Sequence, residues 1–172
     1  MTSAARAERV PAPAWWRWLG LSVAIIALDL LTKAWVTAVF REGQELPVTS
    51  FFSLVLAYNA GAAFSFLAGA GGWQRWFFAI IALVASGFLI WMLRRGGSRT
   101  LRVGLALILG GALGNLWDRV TLGRVTDFLL FHYAGWSWPA FNVADSAITI
   151  GAVCLILDSF RSRRDDTPAP LT

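Results

Sequence analysis

The sequence predicts an integral membrane protein, all-α in its membrane part, with four transmembrane helices and a small extracytoplasmic β-sheet. The chain is 57% hydrophobic and only 15% charged, whereas soluble domains are roughly 45–50% apolar and about 25% charged. Four apolar stretches approach or exceed the length of about 20 residues that a spanning helix needs. A β-branched and aromatic segment, too short to span as a helix, follows the first of them.

The four predicted helices run from about 16 to 40, 73 to 93, 101 to 120 and 143 to 160. The second is the clearest, because it carries no charge between Phe77 and Leu93. The first begins like a signal peptide, but Asp29 and Lys33 interrupt its apolar centre, so we expect a retained helix. Ionisable residues occur in the first, third and fourth helices. Because ionisable residues within a membrane span usually serve function, we expect the functional residues in these three helices.

The distribution of basic residues predicts the orientation. Ten of them fall on one side: Arg6, Arg9, Arg17, Arg94, Arg95, Arg99, Arg102, Arg161, Arg163 and Arg164. The opposite side has Arg41, Arg75 and Arg124, with Arg119 as a fourth at most. We therefore expect a cytoplasmic tail at 1–15, a single membrane domain at 16–160 and a second cytoplasmic tail at 161–172.

The two long connections, about 41–72 and 121–142, are predicted to face outward. The first contains Leu46 to Tyr58, which predicts one or two short strands in a surface sheet, or cradle. The second is predicted to be a loop, with an apolar run from Phe128 to Phe131 that dips toward the membrane. Its Trp136 and Trp138 are typical of the membrane interface.

Two aspartates flank the tryptophan-rich part of this second connection: Asp127 lies near its start, and Asp145 lies after its end, in the first turn of the fourth helix. The predicted topology places both at the same membrane boundary, and two neighbouring carboxyls resist double ionisation, so that one holds a proton while the other is a base. Such a pair can activate water against a peptide carbonyl. The structural alternatives are a first-turn acid on a helix capped by Asn142, for Asp145, and an ion pair with Arg124 or Arg119, for Asp127.

Further polar residues interrupt the apolar stretches. Asp29 and Lys33 lie four apart, so they can pair on one helix face, either to neutralise each other or to organise a pocket. Asn59 and Gly61 form either a turn or a contact to a substrate backbone. At intervals of four, Gly111, Asn115 and Arg119 form one stripe, which either packs helices or makes a polar wall. Gly110 and Gly114 extend the small surface for helix packing.

Several classes of site are excluded. His132 is the only histidine and Cys154 the only cysteine, so a histidine-rich zinc site and an intrachain disulfide cannot form. Neither common phosphate-binding glycine motif occurs. We expect no metal and no cofactor. Nucleic acid is not expected as a partner either, because the basic residues gather at the ends of apolar runs.

Five blocks in order closely resemble the lipoprotein signal peptidase family, signal peptidase II of bacteria. They are D-L-L-T-K (29–33), N-A-G-A-A-F (59–64), G-G-A-L-G-N-L-W-D-R-V (110–120), R-V-T-D-F (124–128) and F-N-V-A-D-S (141–146). The resemblance covers about residues 16–160. Thr126 is a mild departure, since an aliphatic residue is common there in the family.

The resemblance implies an aspartic protease embedded in the bacterial inner membrane. We expect it to act among membrane lipids without a cofactor, and a monomer suffices for the site. It implies cleavage of diacylglyceryl-modified prolipoproteins just before the lipidated cysteine. Asp127 and Asp145 match the catalytic pair. The matched pocket residues are Asp29, Lys33, Asn59, Gly61, Asn115, Arg119 and Asn142, with Asp118 a weaker candidate. The alternatives are a small four-helix transporter or proton relay, and a structural membrane subunit.

Overall fold

A computed structural model describes residues 15–61 and 71–165 of the chain. The elements in chain order are α1 (Trp16–Val39), β1 (Glu45–Pro47), β2 (Phe52–Asn59), α2 (Gln74–Arg95), α3 (Arg99–Thr121), β3 (Val125–Tyr133), β4 (Trp136–Ser137) and α4 (Val143–Asp165). Most of the two predicted tails lies outside the described residues.

Within the described ranges, four helices are long and apolar enough to cross a membrane: α1, α2, α3 and residues 143–161 of α4. Their bounds agree with the predicted helices to within two residues, except at the C-terminal end of α4, which continues to Asp165. Large apolar side chains are exposed along α1, α2 and α4, as a surface that faces lipid requires. The helices confirm the predicted fold class.

The third helix is the centre of the bundle, since α1, α2 and α4 all pack against it. Glycines allow this close approach. A Cβ added at Gly110 would lie 2.8 Å from the carbonyl oxygen of Ser22, and one at Gly111 would collide with the carbonyl oxygen of Ala144. The prediction that these glycines serve helix packing is confirmed.

The four strands form one antiparallel sheet in the order β1-β2-β3-β4. Chain connectivity places this sheet at the end of the bundle where α1 and α3 finish and where α2 and α4 begin. We call this the sheet end. Here Val36 of α1 and Phe40, which directly follows α1, pack with Leu56 and Phe128 of the sheet.

The second connection differs from its prediction as a loop. Residues 125–133 form β3, and Ala134 and Gly135, with φ angles of 49° and 82°, make the tight turn into β4. The run V-T-D-F-L-L-F-H-Y is rich in strand-forming residues. Its pairing partner β2 lies more than sixty residues earlier, so the strand forms through a long-range contact that local patterning does not show.

Candidate active site

The polar residues at the sheet end surround a buried lysine, Lys33. The Nζ of Lys33 lies 2.7 Å from Asp29 Oδ2 and 3.1 Å from Asp118 Oδ2. It also donates a hydrogen bond of 3.0 Å to Asn115 Oδ1. All four side chains are almost completely buried. A buried charge needs such partners, so the lysine and its acids hold α1 and α3 in one arrangement.

The two acids also reach beyond their helices. Asp29 Oδ1 accepts a hydrogen bond of 2.9 Å from the backbone N–H of Ala144 at the start of α4. Asp118 Oδ2 accepts one of 2.9 Å from the backbone N–H of Thr126 on β3. The Lys33 cluster therefore positions the two segments that carry Asp145 and Asp127.

Asp145 lies in the first turn of α4, where Asn142 and Asp145 cap the helix reciprocally. The backbone N–H of Asp145 donates to Asn142 Oδ1 at 2.9 Å, and the backbone N–H of Asn142 donates to Asp145 Oδ2 at 3.3 Å. This is the geometry of a capping box, with an aspartate in place of glutamate. The other carboxylate oxygen accepts a hydrogen bond of 2.7 Å from Asn115 Nδ2.

Asp127 is a buried residue of β3, opposite Ala57 of β2. Its Oδ1 accepts a hydrogen bond of 2.8 Å from Asn142 Nδ2, and the Asn59 side chain also hydrogen-bonds the carboxyl. Burial, followed by the negative charge of Asp145, raises the pKa of Asp127 to about 7, although the Asn142 hydrogen bond opposes the rise. Asp127 is thus able to hold a proton near neutral pH.

Two amides connect the carboxyls to each other. Asn142 Nδ2, which bonds Asp127, also lies 3.2 Å from Asn115 Oδ1, and Asn115 bonds Asp145 through its own Nδ2. Both asparagines are buried. The amides therefore form a continuous path of hydrogen bonds from one aspartate to the other and on to Lys33.

Arg119 lies beside the acid pair at the end of α3. Its Nη2 donates to the carbonyl oxygen of Gly61 at 3.2 Å, and its guanidinium lies 5.3 Å from the ring centre of Phe78 on α2. The backbone N–H of Gly61 in turn donates to Asn59 Oδ1 at 2.9 Å. The predicted turn at Asn59 is present, and the arginine ties it to α3.

A cavity of about 900 Å³ opens onto both aspartates. Its polar end includes Asn59, Asn115 and Arg119, while residues of α2 and α4 provide apolar walls that extend away from the carboxyls. These walls include Phe78, Ile81, Ala82, Ala85, Ile148 and Ile150. The cavity therefore joins an acid pair to a space suited to an apolar chain.

The predicted site residues meet at the sheet end, in two layers. The layer that lines the cavity consists of Asp127, Asp145, Asn59, Asn115 and Arg119. The other predicted residues do not line it but contact the first layer or the segments that carry it: Asp29, Lys33, Gly61 and Asn142.

The sequence pattern made Asp118 a weaker candidate, yet its carboxylate is buried and lies 3.1 Å from the Nζ of Lys33. Its spacing places it off the Gly111–Asn115–Arg119 stripe, and only the position of α1 brings Lys33 to it.

Arg124, which was one of the two partners suggested for Asp127, pairs with Glu42 instead, at 3.3 Å. The lone histidine, His132, hydrogen-bonds Ser53 on the sheet. Among the described residues, no group of three or more histidine, cysteine, aspartate or glutamate side chains is arranged so that it could hold a metal ion.

The fold resembles solved membrane enzymes. One bacterial membrane enzyme, solved by the in meso method at 2.3 Å resolution, matches with a TM-score of 0.80 and 27% identity, over 91% of this chain and 94% of that one. A second, solved at 1.9 Å resolution, matches with a TM-score of 0.73 and 29% identity over 88% and 94%. The class of protein is therefore a multi-pass bacterial membrane enzyme.

The family model of signal peptidase (SPase) II, peptidase family A8, matches residues 21–161. Lipoprotein signal peptidases from Ralstonia nicotianae and Paraburkholderia phytofirmans are 57% and 54% identical, over 86% and 95% of this chain and 86% and 92% of their own lengths. The chain belongs to the signal peptidase II family, whose members are aspartic peptidases. This membership confirms the family resemblance and rules against the transporter and structural alternatives.

Proposed function

We propose that the chain removes signal peptides from diacylglyceryl-modified prolipoproteins, cutting just before the lipidated cysteine, with Asp127 and Asp145 as the catalytic pair. The observation that carries this proposal is that both carboxyls line one cavity and are joined through the same two amides. The named relatives are lipoprotein signal peptidases, which supports the substrate class.

Asp127 holds the shared proton and Asp145 acts as the base. The raised pKa of Asp127 keeps its proton available near neutral pH, and Asp145 is the partner carboxylate across the two bridging amides. Asp145 takes a proton from a water molecule, and the water oxygen bonds to the carbon of the scissile carbonyl. Asp127 gives its proton to the carbonyl oxygen, and a tetrahedral diol forms.

Collapse of the diol completes the cleavage. Asp145 passes its proton to the departing nitrogen as the carbon–nitrogen bond breaks, and Asp127 recovers a proton from a diol hydroxyl. The products are a carboxylic acid on the signal peptide and a free amine on the lipidated cysteine. Both aspartates return to their starting protonation states, so each turnover consumes one water.

The remaining residues bind or support. Arg119 and the Asn59–Gly61 turn present polar groups beside the acid pair, where an extended substrate backbone can bind. The apolar walls of α2 and α4 receive the hydrophobic part of the signal peptide or the acyl chains. Asp29, Lys33 and Asn142 keep the catalytic segments in place. One copy of the chain contains both aspartates, so a monomer suffices.

The charge distribution supports an orientation in which the sheet end faces the outside of the inner membrane and both termini are cytoplasmic. A lipidated substrate reaches the cavity from within the bilayer. Its scissile bond then lies at the level of the lipid headgroups, where the acid pair is situated.

The test is cleavage of a diacylglyceryl-modified prolipoprotein by purified enzyme in liposomes. We expect Asp127→Asn and Asp145→Asn each to lower kcat by at least about a thousandfold, because either change removes one of the two proton carriers. Asp158→Asn is the matched control: it changes a carboxyl on α4 that contacts Ser98, far from the sheet end. Near-normal turnover by either folded active-site variant would disprove the acid-pair mechanism.

A further inference from the structure

The end of the bundle opposite the sheet carries positive charge that the described residues do not neutralise. Its described side chains include one acid, Asp158, and this acid hydrogen-bonds the hydroxyl of Ser98. They also include six arginines: Arg17, Arg94, Arg95, Arg99, Arg102 and Arg161. The ion pairs formed within residues 15–61 and 71–161 involve none of these arginines. Their counterions must therefore come from elsewhere.

Arg102, in the first turn of α3, is the arginine of this end that is half-buried, whereas the other five are exposed. Its Nε is buried and has no hydrogen-bond partner among the described residues. A buried donor without an acceptor costs free energy. This nitrogen therefore requires an acceptor that the described part of the chain does not supply.

Arg94 and Arg102 flank the turn that joins α2 to α3. A Cβ added at Gly96, in this turn, would lie 3.4 Å from Arg102 Nη2, so the guanidinium lies against the backbone of the turn. Arg94 comes two residues before Gly96, and its guanidinium lies 5.7 Å from the ring centre of Trp15, just before α1. The two cations thus come from two helices, beside a tryptophan of the kind that marks a membrane interface.

Apolar surface begins next to these cations and continues toward the sheet. Arg102, Leu109 and Leu113 are seven and four residues apart, so they share one face of α3. Trp18 of α1 and Ile90 of α2 belong to the same apolar cluster as Leu109. Further along, α1 and α2 both pack against α3, but their contact with each other is marginal. Both helices expose large apolar side chains, along which an acyl chain can lie.

We infer that Arg94 and Arg102 bind the phosphate of an anionic phospholipid whose acyl chains lie along α1 and α2. A guanidinium donates two parallel hydrogen bonds to phosphate oxygens, and such a contact gives Arg102 Nε its missing acceptor. Basic pockets between membrane helices on the cytoplasmic side suit headgroups of this kind. Under the proposed orientation, the lipid belongs to the cytoplasmic leaflet.

The charge of this end selects an anionic headgroup over a zwitterionic one. The arginines around the pair repel the ammonium group of a phosphatidylcholine, whereas a headgroup with net negative charge meets no such repulsion. The bound phosphate contacts the last turn of α2 and the first turn of α3. Because the lipid binds the folded protein, it should stabilise that state.

The experiment titrates the purified full chain in dodecyl maltoside micelles with phosphatidylglycerol and follows the midpoint of thermal unfolding. Phosphatidylglycerol should raise the midpoint, whereas phosphatidylcholine, which lacks the net charge, and inorganic phosphate, which lacks the acyl chains, should not. We expect Arg94→Gln and Arg102→Gln each to raise the apparent Kd for phosphatidylglycerol about tenfold, because each removes a charge-assisted hydrogen bond. Arg102→Lys, which keeps the charge but loses the paired donors, should raise it less.

The matched control is Arg161→Gln. It removes an equal charge from the same end, but on α4, where the guanidinium donates to Thr100 Oγ1 at 3.4 Å. Its Kd should stay within about twofold of the wild type. For a variant that unfolds too readily, native mass spectrometry of the retained phosphatidylglycerol gives the same comparison.

Three results would overturn the inference. Equal increases of Kd in Arg102→Gln and Arg161→Gln would mean that total charge, and not a site, attracts the lipid. Equal stabilisation by phosphatidylcholine would assign the effect to apolar contact, and stabilisation by inorganic phosphate alone would assign the arginines to a soluble anion. Binding is measured without substrate, so this inference and the proposed function can fail independently.

Discussion

Single side chains at the sheet end each perform two tasks, and the asparagines show this most clearly. The amide of Asn115 accepts from Lys33 and donates to Asp145, while Asn142 caps α4 through its oxygen and binds Asp127 through its nitrogen. An amide alone among side chains offers an acceptor and two donors without carrying charge. A carboxylate at either place would put a third negative charge beside the pair.

The protonation of Asp127 predicts how the activity depends on pH. Because its pKa is raised to about 7 and it must be protonated to act as the acid, kcat/KM should fall as the pH rises through about 7. The fall should approach tenfold per pH unit at higher pH. The measurement is cleavage in liposomes between pH 5 and 9, with enzyme incubated at each pH and assayed again at pH 6 to exclude unfolding. Activity that increases above pH 7 would make Asp127 the base.

Removing the charge of Lys33 should destabilise the protein strongly. Lys33→Met leaves the carboxyls of Asp29 and Asp118 buried without their cation, and breaking a buried ion pair in this way costs about 3–5 kcal/mol. The measurement is the free energy of unfolding by SDS titration in mixed micelles. The triple variant with Asp29→Asn and Asp118→Asn should recover part of the loss; no difference between single and triple variants would contradict this account.

At the scale of the elements, α3 determines the position of the others. It contacts all three remaining helices, and its glycines allow α1 and α4 to approach within the distance at which Asp29 reaches the backbone of Ala144. The β3 strand then brings Asp127 to the N-terminal turn of α4. Activity therefore depends on the spacing between α3 and α4.

Widening that spacing should reduce both stability and activity. Gly111→Ala places a methyl group against the carbonyl oxygen of Ala144, a backbone atom that can yield only if α4 moves. We expect a loss of about 1–3 kcal/mol in the free energy of unfolding and a lower kcat, because Asp145 lies one residue further along α4. Gly20→Ala in α1 is the matched control, since nothing lies within 4 Å of its added methyl. Equal effects at the two glycines would refute the packing argument.

At the scale of the whole molecule, charge and polarity are segregated between the two ends. Among residues 15–61 and 71–165, the buried polar network gathers at the sheet end, and most of the arginines lie at the other end. Between them the exposed helix surfaces are apolar. A bilayer stabilises such a molecule in one orientation, and that orientation presents the acid pair at a single interface.

Labelling of single cysteines tests that orientation. In a Cys154→Ala background, Ser137→Cys on β4 should react with a membrane-impermeant maleimide in intact spheroplasts. Arg99→Cys at the start of α3 should react only after the membrane is permeabilised. The reverse pattern would place the acid pair on the cytoplasmic side and contradict the proposed route for the substrate.

The four helices follow from local sequence, because a bilayer requires long apolar runs with satisfied backbones, and such runs can be read without knowing their neighbours. The five polar blocks likewise identified the family and the residues that meet at the sheet end.

Other features depend on contacts between distant parts of the chain. The β3 strand exists through its pairing with β2, Asp118 gains its role when α1 brings Lys33 to it, and Arg124 stacks on Tyr58 because the sheet register places them together. Tertiary packing decides these features. Each requires contact between two segments that are far apart in the sequence, and the local sequence of neither segment indicates that contact.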